Sequence, residues 1–299
     1  MKLSARLGTL TVGDASPVRV MAAINASPES FYKGSVARTP REAGERAVAA
    51  VEEGADLLDV GGASTAPYLS AAVPEEVERS RVAEAVRAAA DAVGGAVPLS
   101  VDTVRASVAD AALAAGATVV NDVSGLKNDP GMAATVRERG ASLFAMAHSR
   151  RASAIGPVAF VSRALRETLA IAGRAGVDRR LVVLDPGIGF FRGGESSPTS
   201  SRQTRMPWYE WDCEVLANLS ELRALGRPVG VGISRKSFIG KLLGLESPDD
   251  RLAGSLAATA VAVVNGAALV RTHDVKATLH AVRTAEAVVA RRRRAPRGP

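Results

Sequence analysis

A chain of 299 residues with 47% hydrophobic and 23% charged residues has the balance of a folded globular protein, which excludes wholesale disorder and leaves room for a large core. Its formal net charge of +7 does not describe its body: Arg291, Arg292, Arg293, Arg294 and Arg297 crowd the last nine residues, and without these five the chain carries +2. With 4% aromatic residues it is also poorly supplied for stacking single-stranded bases, so nucleic-acid binding ranks last among the functions considered.

The single cysteine, Cys213, excludes an internal disulfide and a cysteine-rich metal site and fits a reducing compartment. The first residues carry charges and a Gly-Asp turn where a secretory signal would carry an apolar core. No run approaches the ~18 apolar residues of a membrane span. A soluble, cytoplasmic protein is expected.

Along the chain, residues 3–12 read as a strand or hairpin. Short apolar runs then recur at 18–24, 57–60, 99–101, 119–123, 142–146, 181–184, 229–233 and 268–271, six of the eight followed directly by Gly, Asn, Asp or Ser. Between and after them, apolar positions fall at helical spacing over 43–51, 77–92, 104–114, 161–172, 215–225, 256–264 and 278–289, with a shorter stretch at 132–139. Parallel strands require helical crossovers, so the alternation predicts an α/β protein built of βα units. Eight units close a barrel. An open nucleotide-binding sheet would show a Gly-x-Gly-x-x-Gly turn after its first strand, and none follows 18–24. The prediction is therefore a single-domain (β/α)8 TIM barrel over residues 1–290, its floor closed by the N-terminal strand or hairpin, with 291–299 a basic, disordered tail. The Gly-, Ser-, Pro- and Arg-rich stretch 191–208 reads as a mobile loop after the sixth strand.

In such a barrel the chemistry sits at the C-terminal ends of the strands, and here those ends are polar. They present Asn25 in NASPESF, Asp59 in LLDVGGAST, Asp102 in SVDT, Asn121 and Asp122 in VVNDVSG, and Asp185 in VLDPGIGFF. Ser234, Arg235 and Lys236 follow in GISRKSFIG, and Arg271, His273 and Asp274 in VRTHDV. Any one Asp or Asn alone is as well explained as a helix cap or turn former; seven polar strand ends on one rim are not. Asp102, Asn121 and Asp185 supply carboxylates and an amide, the complement of a flat heterocycle edged with N–H donors, such as a pterin. Arg235, Lys236, Arg271 and His273 supply cations for phosphate oxygens. No His or Cys cluster suggests a tightly held metal. The rim suits a heterocycle joined to an anion.

In their order and spacing, NASPESF, DVGGASTAP, SVDT, NDVSGL, DPGIGF, SRKSFIG, GSLAATAVAV and RTHDV resemble the dihydropteroate synthase family, from about Arg19 to Val282. The resemblance implies a (β/α)8 barrel that joins 6-hydroxymethyl-7,8-dihydropterin pyrophosphate to p-aminobenzoate, releasing pyrophosphate with the help of Mg2+. It implies pterin-binding positions at Asp102, Asn121, Asp185, Phe190, Gly232 and Lys236. Asn25, Arg271 and His273 match pyrophosphate positions, with Asn25 also on the metal, while Thr65, Pro67, Ser234 and Lys33 fall around the acceptor. Catalysis would rest on Lys236, Arg271, His273 and Asp102. The resemblance further implies a homodimer through outer helices at 253–265 and 278–290, with small-molecule substrates and neither nucleic acid nor membrane as partner.

The chain departs from the family pattern at several places. Lys33 in SFYKGS stands where the family carries an acid, and Ala66 where it carries an arginine before Pro67. Ala147 and Ser149 flank His148 in place of two methionines, and GFFR at 189–192 replaces GFGK. With these changes the chain looks most like the archaeal branch, where the acceptor is a ribosylated, phosphorylated aminobenzene derivative; Lys33, Arg192, Arg202 or Arg205 would serve such a phosphate. Two other readings share the pterin half of the site: a methyltransferase barrel that uses a pterin, and a pterin-binding barrel without catalysis.

Overall fold

The computed structural model describes residues 2–27, 36–64, 73–149, 155–191 and 206–294. The chain opens with an antiparallel hairpin, β1 (Ser4–Leu7) and β2 (Leu10–Gly13). Eight parallel strands follow: β3 (Arg19–Asn25), β4 (Leu57–Gly61), β5 (Leu99–Asp102), β6 (Val119–Asp122), β7 (Ser142–Met146), β8 (Val182–Asp185), β9 (Gly230–Gly232) and β10 (Leu269–Thr272). Their hydrogen-bonded order is β8-β7-β6-β5-β4-β3-β10-β9. A parallel bridge between Leu184 and Val229, with the Leu184 N–H donating to the Pro228 carbonyl at 3.0 Å, joins the two ends. The sheet is a closed (β/α)8 barrel.

The helices around it are α1 (Pro40–Glu52), α2 (Glu75–Val93), α3 (Ala106–Ala114), α4 (Met132–Glu138), α5 (Pro157–Arg174), α6 (Trp208–Ala217), α7 (Ser237–Leu243), α8 (Leu252–Val264) and α9 (Val275–Arg294). Local chemistry sets their starts. The Thr39 hydroxyl accepts from the Glu42 N–H, and Pro40, whose fixed φ suits a first turn, follows it into α1. Among the described residues no helix is long and apolar enough to cross a membrane.

Alternation along the strands divides the barrel into a floor and a rim. Met21, Leu57, Val119, Phe144, Val183 and Leu269 point inward and form one fully buried cluster with Ala5, Leu7 and Val12 of the hairpin, which plugs the barrel from below. Because successive side chains point to opposite faces, the next inward positions are two residues further on: Asp59, Asn121, Met146, Asp185 and Arg271. The same period of two that builds an apolar floor therefore raises a polar layer directly above it. The intervening residues, such as Leu58, Val120, Leu143, Leu184 and Val270, face outward into the layer beneath the helices.

The structure departs from the sequence expectations at the sixth, seventh and eighth units. The single helix expected over 215–225 is two elements, because α6 stops at Ala217 and a 3-10 segment runs Leu219–Leu225. The break falls at Asn218, whose backbone N–H and side-chain amide both donate to the Glu214 carbonyl, at 3.1 and 3.0 Å. Helix α7 was not expected, since seven residues show too little of the helical period. Phe191, assigned to the start of a mobile loop, is buried edge-on against Phe160 and beside Trp211. At the C-terminal end α9 runs on to Arg294, four residues past the boundary expected at 290.

Candidate active site

Strands β4, β5, β6, β8 and β10 each deliver one polar side chain to the space above the floor. Arg271, on β10, reaches across the barrel mouth: its Nε donates to Asp59 Oδ2 at 2.6 Å and its Nη2 to Asp102 Oδ2 at 3.0 Å. Asn121, beside Asp102 in the β5–β6 register, donates through Nδ2 to the same Asp59 oxygen at 2.9 Å. Asp59, Asp102, Asn121 and Asp185 are all nearly inaccessible to solvent. Among the described residues the Oδ1 atoms of Asp59 and Asp102 are buried without a hydrogen-bond partner. Buried acceptors seldom stay unmatched, so the bare oxygen of Asp102, the less deeply buried of the two, is a place for a ligand N–H.

Lys236 stands at the N-terminus of α7, and its ammonium donates to the Ile188 carbonyl while lying 4.5 Å from the centre of the Phe190 ring. Gly189 makes this possible. It has φ +84°, and a Cβ there would sit 2.9 Å from Lys236 Cδ. Gly232 lies between Arg271 and Lys236, and a Cβ on it would come 3.9 Å from each. Phe190 joins Val123 and Met146, with Val104 against them, in an apolar patch of its own. Polar edges and an apolar wall in one cavity suit a flat, hydrogen-bonding ring.

Three carboxylates, Asp59, Asp102 and Asp185, face two cations, Arg271 and Lys236, so the ionised site carries surplus negative charge. Burial pushes the Asp102 carboxyl up to about 7 against the pull of Arg271, and the charge of Asp59 pushes it further. Asp185 is raised by burial too, opposed by Lys236 and by the Gly187 N–H that donates to it at 2.8 Å. His273 moves the other way: burial, then the charges of Arg271, Arg235 and Lys236, push its imidazole down to about 3. It is a neutral ring at physiological pH. Its backbone N–H donates to Ser234 Oγ at 3.2 Å, and its Nδ1 lies 3.0 Å from the same oxygen.

Two residues read as site groups are occupied otherwise. Arg235, grouped above with the phosphate-binding cations, is 6% exposed and clamps Asp274 through two bonds of 2.8 and 2.7 Å. It also donates to the Pro248 and Asp249 carbonyls, so it ties the β9 and β10 loops together and leaves Lys236 to face the cavity. Asp122 accepts from the Ser124 and Leu126 N–H groups and caps the turn after β6. Asn25 ends β3, paired with Gly61 on one side and bridged to Val36 on the other. Thr65, Pro67 and Lys33, together with Ala66, Arg192, Arg202 and Arg205, lie outside the described residues.

Sequence reasoning missed Glu78 and Asp212. Glu78, on α2, is buried and accepts from the Thr103 hydroxyl and from Arg105, both at 2.7 Å, and so holds the segment that follows Asp102. Asp212, on α6, accepts from the Gly189 N–H at 2.9 Å and so holds the loop that carries Phe190. Nothing in a helical Glu or Asp marks it as buried; only the fold does.

Comparison with known proteins agrees with this geometry. Residues 21–273 match the family of pterin binding enzymes. The dihydropteroate synthase of Mycobacterium leprae is 37% identical over 90% of this chain and 92% of its own. Among solved structures, Xanthomonas albilineans dihydropteroate synthase with 4-aminobenzoic acid superimposes with a TM-score of 0.82 at 37% identity, covering 97% of this chain and 99% of that one. The same enzyme in complex with 7,8-dihydropteroate gives a TM-score of 0.79 at 36% identity, over 97% and 99% of the two chains. The chain belongs to the pterin-binding enzymes, and among them to the folate-pathway transferases of dihydropteroate synthase type.

Proposed function

We propose that this chain condenses 6-hydroxymethyl-7,8-dihydropterin pyrophosphate with p-aminobenzoate, forming a C–N bond and releasing pyrophosphate. The observation that carries the reading is a bare Asp102 oxygen set beside Asn121 in the β5–β6 register above an apolar floor, spanned by Arg271. The relatives named for this reaction, and the neighbours bound to 4-aminobenzoic acid and to 7,8-dihydropteroate, support the same acceptor here.

In this reading Asp102, Asn121, Asp185 and Lys236 hold the pterin, with Phe190 and Gly232 shaping its slot. Asn25, Arg271 and His273 hold the pyrophosphate, while Ser234, Thr65, Pro67 and Lys33 surround the acceptor. The bond between the pterin methylene and the pyrophosphate breaks ahead of attack, and positive charge spreads into the reduced ring. The surplus carboxylate charge stabilises that cation, and Arg271 stabilises the departing anion. The arylamine nitrogen is a nucleophile without deprotonation; it attacks the methylene and then releases its proton. His273, neutral in this site, contributes hydrogen bonds rather than charge.

Mg2+ belongs to the same reading. Among the described residues no three His, Cys, Asp or Glu side chains gather into a cage, and Asn25, at the end of β3, would supply one neutral amide oxygen. Such a donor would suit a hard cation that keeps most of its waters. A cation held there would supply charge neutralisation for the leaving group.

The chain is also proposed to work as a homodimer. Helix α8 is apolar on its outer side, where Ala253, Ala257, Val261 and Val264 form an exposed stripe, with Leu242 and Leu243 of α7 exposed nearby. An exposed apolar stripe calls for a covering surface. A second copy supplies one.

Purified protein given the pterin pyrophosphate and Mg2+ should use p-aminobenzoate with a higher kcat/KM than the ribosyl phosphate derivative. The reverse preference, lost in Lys33→Ala, would replace the acceptor assignment with the phosphorylated one.

A further inference from the structure

Asp59 touches two residues of the site and stands at its centre. Its strand, β4, lies two places from β6 on one side and two places from β10 on the other. One oxygen, Oδ2, serves both neighbours: it accepts from Asn121 Nδ2 at 2.9 Å and from Arg271 Nε at 2.6 Å. The side chain is fully buried, and Oδ1 has no partner among the described residues.

An ionised carboxylate accepts hydrogen bonds and donates none. The Asn121 amide must therefore turn its NH2 toward Asp59, which leaves its carbonyl oxygen as the group offered to a ligand. Without that partner the amide is free to flip and present a donor instead of an acceptor. The same Asp59 oxygen, together with Asp102 Oδ2, fixes the Arg271 guanidinium at two points 3.0 Å or less from its nitrogens. Burying such a charge costs stability, and a well-packed apolar side chain would fill the space more cheaply. The cost is explained if the carboxylate sets the geometry of its neighbours.

We propose that Asp59 is a positioning residue of the pterin site, turning the Asn121 carbonyl oxygen toward the heterocycle and holding Arg271 in place across the barrel mouth. The inference rests on the pterin reading given above and assigns Asp59 no direct contact with substrate.

Calorimetric titration with the pterin pyrophosphate, acceptor omitted, tests it. Asp59→Ala is expected to weaken binding about tenfold or more, with the KM for p-aminobenzoate within about twofold of wild type. Asp59→Asn keeps an oxygen able to accept both N–H groups and should stay within about threefold. If the alanine variant fails to fold, Asp59→Thr, similar in volume but with its oxygen one bond short, takes its place. Wild-type affinity in Asp59→Ala or Asp59→Thr overturns the role, as does a loss in Asp59→Asn as large as that in Asp59→Ala. Failure of the wild type to bind the pterin substrate overturns the functional reading itself, and this role with it.

Discussion

Asp102 sets two properties of the molecule against each other. Its carboxyl titrates near 7 when folded and near its ordinary 3.8 when unfolded, so between those values the folded chain keeps a proton that the unfolded chain has lost. Stability therefore falls as pH rises through that window and levels off above about 7. Ligand binding runs the other way, because an N–H donor needs the ionised carboxylate. Affinity for a pterin analogue should rise up to about tenfold per pH unit below 7 and then flatten. Asp102→Asn should abolish that slope and weaken binding by about 1.5–3 kcal/mol. The same variant should be more stable than wild type at pH 8, by an amount on the order of a few kcal/mol, and equally stable near pH 4. A melting series with and without ligand reads both effects, and a flat wild-type profile would refute the assignment. His273 gives a contrasting expectation. Being neutral, it should lose about tenfold in pyrophosphate affinity on change to Ala without altering the salt dependence of binding; a shallower salt slope in His273→Ala would show that it binds as a cation.

At the scale of elements, the period of two along each strand made most of the site legible. Once 119–123 is a barrel strand, Val119 inward implies Asn121 inward, and the same holds for Val183 with Asp185 and Leu269 with Arg271. Relations between elements were not legible. That Asp59 meets both Asn121 and Arg271 depends on pairings with partners 62 and 212 residues away. Arg235 and Lys236 are adjacent cations in the sequence, yet a positive φ of 55° at Arg235 sends one into the Asp274 clamp and leaves the other facing the cavity. The β8–α6 loop shows how sharply such local geometry acts. Gly189→Ala puts a methyl group against Lys236 at a left-handed position, a change that costs on the order of 1 kcal/mol in strain. Displacing Lys236 should raise the KM for the pterin substrate about tenfold while the acceptor KM holds. Steady-state kinetics with each substrate varied in turn separates the two, and equal rises would place the damage elsewhere.

Across the whole molecule, the barrel must close before the site exists. Arg271 comes from the last strand and its acid partners from the second and third strands of the barrel, so no fragment lacking either end assembles the cluster. Closure also decides which helices remain uncovered. Inward faces of the outer layer are spent on the strands, and on α8 Thr259, Ala262 and Val263 are buried this way. What is left outside on that helix is still apolar: Val261 is 48% and Val264 39% exposed, while on α7 Leu242 is 49% and Leu243 58%. Large aliphatic side chains exposed together mark a surface that another molecule covers, and a self-complementary helix face is the usual ground of a two-fold contact. Val261→Lys combined with Val264→Lys sets like charges on both copies at that contact. The double variant should sediment at the 30.8 kDa of one chain at concentrations where the wild type runs at about twice that mass. Both residues lie on the outside of α8, so the pterin affinity of the variant should remain within about twofold of wild type. A wild type that sediments as a single chain, or a variant that still pairs, would rule out this face as the contact.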